Sequence, residues 1–147
     1  MLFARRPPVQ VGFGTRIIVA SDALKHSDTL VDFAIELASE REATLTLVYA
    51  AVNNSAERAT RISSQIVRVT QTLGDQASVR IEPARPVELI VRTAAADRCS
   101  LLIVGSRRVG GVRALGSVSE RVVHAAPCSV LVLRPEDRAI PRSCGCV

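Results

Sequence analysis

The chain has 147 residues, enough for one domain whose core needs neither disulfides nor a metal to hold it. Apolar residues make up 48% of it and aromatic residues only 3%, so Val, Ile, Leu and Ala carry the burial, a palette suited to a parallel sheet covered on both faces. The net charge is +5, almost all of it from arginine, with Lys25 the sole lysine. These arginines are scattered, and Phe3, Phe13, Phe33 and Tyr49 form no stacking platform, which argues against a specific nucleic-acid partner.

No apolar run approaches the length needed to cross a bilayer, and residues 1–8 lack the apolar core of a signal peptide, so a cytoplasmic location without membrane contact is expected. Residues 1–15 read as a loose leader, 16–134 as the domain and 135–147 as a tail without fixed structure.

The elements follow in alternation. Arg16 to Ala20 is a first strand, and Leu30, Phe33, Ala34, Leu37 and Ala38 then recur at helical spacing. Ala43 to Ala50 is a second strand. Asn53-Asn54-Ser55 caps a second helix whose stripe is Ala59, Ile62, Ile66, Val69 and Leu73, ending near Gly74. Ser78 to Glu82 is a short third strand, and a proline turn leads to a helix over Val87 to Arg98. The Leu101 run is the fourth strand, Gly116 to Ala126 the fourth helix, and Ser129 to Leu133 the fifth strand after the breaker Pro127. Five strands alternating with four helices imply an α/β fold: a single, doubly wound, five-stranded parallel sheet with helices on both faces.

Ligands of such sheets sit beyond the carboxyl ends of the strands where the strand order reverses, which here falls between the first and fourth strands. The loop after the first strand carries Ser21, Asp22, Ala23, Leu24, Lys25 and His26. After the fourth come Val104, Gly105, Ser106, Arg107 and Arg108, then Gly110 and Gly111, and a Ser-x-x-Glu signature at Ser117 and Glu120 opens the next helix. A strand, a small-residue loop and a helix N-terminus in that order favour an anion, through backbone N–H groups and the helix dipole. Asp22 has two readings, a helix cap or an acceptor for ribose or adenine donors.

Four cysteines make no zinc or disulfide framework. Cys99 and Cys128 read as small buried hydrophobes beside strands, and Cys144 and Cys146 fall in the tail. His26 and His124 are isolated, no metal-spaced set occurs, and no lysine-bearing phosphate loop is present, so no catalytic residue or metal ligand is expected and at most slow ATP hydrolysis.

Several segments together resemble the universal stress protein family: Val19-Ala20-Ser21-Asp22, Leu45 to Ala50, Leu102 to Arg107, Gly116-Ser117-Val118-Ser119-Glu120-Arg121-Val122, and Ala126-Pro127-Cys128 to Val132. The resemblance covers about Arg16 to Arg134. It implies the fold of the adenine nucleotide alpha hydrolase-like group and ATP, with or without magnesium, held through a G-x2-G-x9-G-[S/T] loop, although some members bind no nucleotide. Carried over, the nucleotide-binding positions are Ala20, Asp22, Ala23, Ala50, Val104, Gly105, Arg107, Arg108, Gly116, Ser117 and Val118. The second motif glycine is Arg108 here, seven residues rather than nine precede Gly116, and Ala23-Leu24 stand where the family often has Gly-Ser. The Arg108 side chain either fills the space of a phosphate or binds it through its guanidinium.

The resemblance also implies a homodimer. The last strand, with Val130, Leu131, Val132 and Leu133, reads as an apolar sheet edge that a second copy would satisfy, unless leader or tail folds over it. Two functions follow: a regulatory dimer that presents different surfaces to a protein partner with and without adenine nucleotide, or an interaction dimer whose altered loop has lost the nucleotide.

Overall fold

The computed structural model describes residues 2–3, 15–53, 55–106 and 117–134. Among the described residues six strands form one sheet: β1 (Leu2–Phe3), β2 (Arg16–Ser21), β3 (Thr44–Ala50), β4 (Ala77–Glu82), β5 (Leu101–Gly105) and β6 (Ser129–Leu133). Four α-helices connect them: α1 (Ser27–Arg41), α2 (Ala56–Leu73), α3 (Pro86–Ala96) and α4 (Ser117–Ala125), with a short 3₁₀ turn at Gly74–Gln76.

The strand order is β1-β6-β5-β2-β3-β4, and every pairing from β6 to β4 is parallel. The doubly wound, five-stranded parallel sheet is therefore as expected, with its reversal of order between β2 and β5. The periodicity that defines each helix also defines its buried stripe. Leu30, Val31, Ala34, Ile35 and Ala38 of α1, with Ile62, Val69 and Leu73 of α2, cover one face of the sheet over Ile17, Val19, Leu45, Leu47, Leu101 and Ile103. On the other face Leu89, Ile90 and Ala94 of α3 and Val122 and Val123 of α4 pack over Ile18, Val48, Leu102, Val104, Val130 and Val132. Alternate strand residues thus serve opposite cores, which is why β5 reads as an unbroken apolar run.

Local signals mark the boundaries. Ser55 caps α2 by accepting the Arg58 N–H at 3.2 Å, and Pro86 opens α3 at a position where its missing N–H costs nothing. At the end of α1 the left-handed residue is Glu42, with φ 53°.

The last strand is not the outermost one. Leu2 and Phe3, in the segment expected to be loose, run antiparallel against it, Leu2 opposite Leu131 and Phe3 opposite Val130. Of the two possibilities raised for this edge, the chain's own leader takes up the side of Val130 and Leu131 that a second copy was expected to meet. The two residues lie in a stretch dominated by Arg and Pro, with no alternation long enough to mark a strand.

Candidate functional site

The carboxyl ends of β2, β3, β5 and β6 lie at one end of the sheet, and the loops after β2 and β5 leave from its centre. The β2 loop is built around three short-range hydrogen bonds. Ser21 Oγ accepts the Ala23 N–H at 3.0 Å, Asp22 Oδ1 accepts the Leu24 N–H at 2.9 Å, and Ser27 Oγ donates to the Leu24 carbonyl at 2.6 Å. Ala23 sits between them with φ 57°, a left-handed conformation that costs an alanine about 1–2 kcal/mol. This is the position where the family often has glycine, and the backbone shows why.

Of its two readings, Asp22 is not the cap of α1. The cap position is His26, whose side chain makes no capping bond. Instead His26 Nε2 lies 2.9 Å from Asp22 Oδ2, so the imidazole and the Leu24 amide hold the two carboxylate oxygens in place. The Asp22 side chain stays 40% exposed at the mouth of the loop.

Beneath this loop lies Gln65, a residue the sequence reading passed over. It is fully buried in the apolar stripe of α2, and its amide is satisfied by three partners. Oε1 accepts from Ser21 Oγ at 2.7 Å, while Nε2 donates to Ser27 Oγ and to Asp28 Oδ1, each at 2.8 Å. Arg61 and Arg68 of α2 reach Asp28 from the same side, and Arg68 also pairs with Asp32 at 2.8 Å. One buried amide thus fixes the end of β2, the start of α1 and the middle of α2. The available signal was a polar residue inside the Ile62–Ile66–Val69 stripe.

At the end of β5, Val104 is buried, Gly105 is half-buried and the buried Ser106 donates its N–H to the Leu133 carbonyl at 2.9 Å. The Gly105 carbonyl accepts from Ser119 Oγ, which docks the first turn of α4 onto the last residue of β5. Ser119 is buried, whereas Ser117 and Val118 beside it are exposed. The helix starts at Ser117, so Ser117 belongs to its first turn. A β-carbon placed on Gly105 would lie 3.6 Å from Leu30 Cδ2, an ordinary contact, so the fold itself tolerates alanine there.

Ala20 of β2, Ala50 of β3 and Ala84 after β4 are partly buried against the α3/α4 core and share that face with Val104. Short side chains thus stand at successive strand ends on that face. Ala20, Ala50, Val104 and Gly105 are therefore at strand ends, Asp22 and Ala23 in the loop after β2, and Ser117 and Val118 in the first turn of α4. Arg107, Arg108 and Gly116 lie outside the described residues, as do Cys144 and Cys146. Among the described residues, no group of three His, Cys, Asp or Glu side chains is arranged to hold a metal, and no helix is long and apolar enough to cross a membrane.

A family model described as the universal stress protein family matches residues 14–134. The chain belongs to the universal stress protein family. A universal stress protein of Thermus aquaticus is 33% identical over 86 residues, a match that spans 57% of this chain and 61% of that relative. The crystal structure of a universal stress protein in complex with cAMP shares the fold with a TM-score of 0.70 at 23% identity, over 84% of this chain and 99% of that one. The universal stress protein of Archaeoglobus fulgidus in complex with dAMP shares it with a TM-score of 0.57 at 17% identity, over 80% of this chain and 96% of that one.

The docking of α4 generates a prediction. Ser119→Ala removes the hydroxyl that satisfies the Gly105 carbonyl and should lower stability by about 1 kcal/mol, with faster amide exchange in the first turn of α4. Gly105→Ala, in contrast, should leave urea unfolding within about 1 kcal/mol of the parent, because among the described residues the new methyl group meets only Leu30, at an ordinary contact distance. A large loss for Gly105→Ala together with none for Ser119→Ala would contradict this account of the β5–α4 junction.

Proposed function

We propose that this universal stress protein binds an adenine nucleotide, ATP in the first instance, at the carboxyl end of the sheet between the β2 and β5 loops, and acts as a ligand-responsive regulatory protein. The observation that carries the reading is the Ser119–Gly105 bond, which holds the exposed N-terminal turn of α4 beside the strand ends at the reversal of strand order. Such a turn presents unpaired N–H groups and the positive end of a helix dipole to an anion. The phosphates would lie there, against Gly105, Gly116, Ser117 and Val118, with Arg107 and Arg108 supplying charge. The adenine would rest on Ala20, Ala50 and Val104. Asp22, held by His26 and the Leu24 amide, would accept from the ribose at the mouth of the Ala23 turn. Solved relatives in complex with cAMP and dAMP support an adenosine ligand. Magnesium, if it accompanies ATP, would be carried by the phosphates.

Protein purified without added nucleotide should release adenine nucleotide on denaturation, and calorimetry on the stripped protein should show ATP binding. Gly116→Val places a branched side chain where phosphate must approach backbone and should weaken binding at least about tenfold, or about 1.4 kcal/mol. No released nucleotide, and no heat with ATP, AMP or cAMP, would overturn the reading in favour of an interaction protein that has lost its ligand.

The assembly that accompanies this reading is a homodimer in which β6 of a second copy takes the place of β1 and pairs along Val130, Leu131, Val132 and Leu133. The partly buried Leu131 and Leu133 and the exposed Leu2 give that edge its apolar character. Replacing Leu2 and Phe3 by proline removes the N–H donors of β1 and should raise the dimer fraction seen by light scattering at micromolar concentration. Monomers for both parent and variant would contradict it.

A further inference from the structure

Cys99 and Cys128 make a contact that the proposed ligand site does not use. Cys99 lies in the turn between α3 and β5, two residues before the strand, and Cys128 ends the turn between α4 and β6. Because β5 and β6 are parallel, with Leu101 opposite Ser129, the two turns enter the sheet side by side at the end away from the candidate ligand site. Both cysteines are buried thiols outside any disulfide, at 5% and 2% exposure, and their Sγ atoms lie 2.7 Å apart.

Their surroundings are apolar, with Ala94, Leu102, Ala126 and Val130 in the same cluster. The hydrogen bond to Cys128, followed by burial, pushes the Cys99 thiol well above the ordinary thiol range, and the nearby Asp97 carboxylate adds to this. Two small hydrophobes would fill this space without their sulfurs meeting. The sulfurs need less than about 1 Å of movement to reach the bond length of about 2.05 Å.

We propose that Cys99 and Cys128 form a reversible oxidation site, which a hydroperoxide closes to an intrachain disulfide joining the entry of β5 to the entry of β6. One thiol loses its proton and its sulfur attacks a peroxide oxygen. The O–O bond breaks, hydroxide leaves and takes up a proton as water, and the attacking cysteine becomes a sulfenic acid. The second thiol then gives up its proton as its sulfur attacks the first. The S–O bond breaks, and hydroxide leaves with that proton as a second water. Two thiols and one hydrogen peroxide yield one disulfide and two waters, the two electrons lost by sulfur being gained by the peroxide oxygens. Protonation and burial make the first step slow, because the thiolate is the nucleophile. The existing contact makes the second fast, because the two sulfurs are already in place.

The test uses the full chain with Cys144→Ser and Cys146→Ser, which leaves Cys99 and Cys128 as its only thiols. The folded protein is treated with excess hydrogen peroxide, catalase removes the oxidant, and thiols are titrated in guanidinium. The expected result is a fall from two thiols per chain to none, restored by dithiothreitol, with one proteolytic fragment linking the two cysteines and lighter by two hydrogens. Two persistent thiols would overturn the proposal, as would oxygen gain at the sulfurs without a linked fragment, or linkage between chains. The outcome is independent of nucleotide binding, since the pair lies at the other end of the sheet.

Discussion

The pairing of β2 with β5 is the constraint on which the rest of this structure depends. It joins segments more than eighty residues apart and is set by Ile17 opposite Leu101, Ile18 opposite Leu102 and Val19 opposite Ile103. A clip at its start fixes the register: the Arg16 N–H donates to Ser100 Oγ at 3.0 Å, and the Ser100 N–H donates to the Arg16 carbonyl at 2.8 Å. A slip of one residue would exchange the two cores, turning Ile18 toward α1 and Val19 toward α3. With the register fixed, the Asp22 turn and the Gly105–Ser119 junction leave adjacent strands at the same end of the sheet, one leading to α1 and the other meeting α4 on the opposite face.

Polar groups refine what apolar burial establishes. Gln65 and Ser119 are each buried hydrogen-bonding side chains at the junctions where a helix meets the end of a central strand. Each replaces water at a backbone or loop group that burial would otherwise leave unsatisfied, which is costly. The arginines on the surface act differently. Arg61 and Arg68 face Asp28 and Asp32 across the α1–α2 seam, and Arg80 and Arg92 approach Asp97 and Glu82. Pairs with this degree of exposure contribute about 0–1 kcal/mol each, so they align helices more than they stabilise the domain.

Most of the fold was legible in the sequence because each element carries its own period and its own stop signal. The Leu101 run ends at Gly105, the α2 stripe ends near Gly74, and Pro127 separates α4 from β6. The position of the candidate site followed from topology alone. What escaped depends on contacts between distant segments. Gln65 drew no reading from the α2 pattern, because its role comes from Ser21, Ser27 and Asp28 on two other elements. Two residues of β1 are too few to show a period, and their role comes from the edge they meet. The contact of Cys99 with Cys128 needs the parallel register of β5 and β6, which no spacing within the chain encodes. The backbone rules out the cap reading of Asp22, since four residues, Ala23 to His26, separate it from the start of α1.

The central claim is the location of an adenine nucleotide at the β2–β5 reversal. Nitrogen-15 amide spectra of the full chain, recorded during titration with ATP, test it directly. The largest shifts are predicted at residues 20–24, 50–52, 105–106 and 117–119. Shifts concentrated instead at the opposite end of the sheet, around residues 97–101 and 126–129, or no shifts at saturating ATP, would contradict the account.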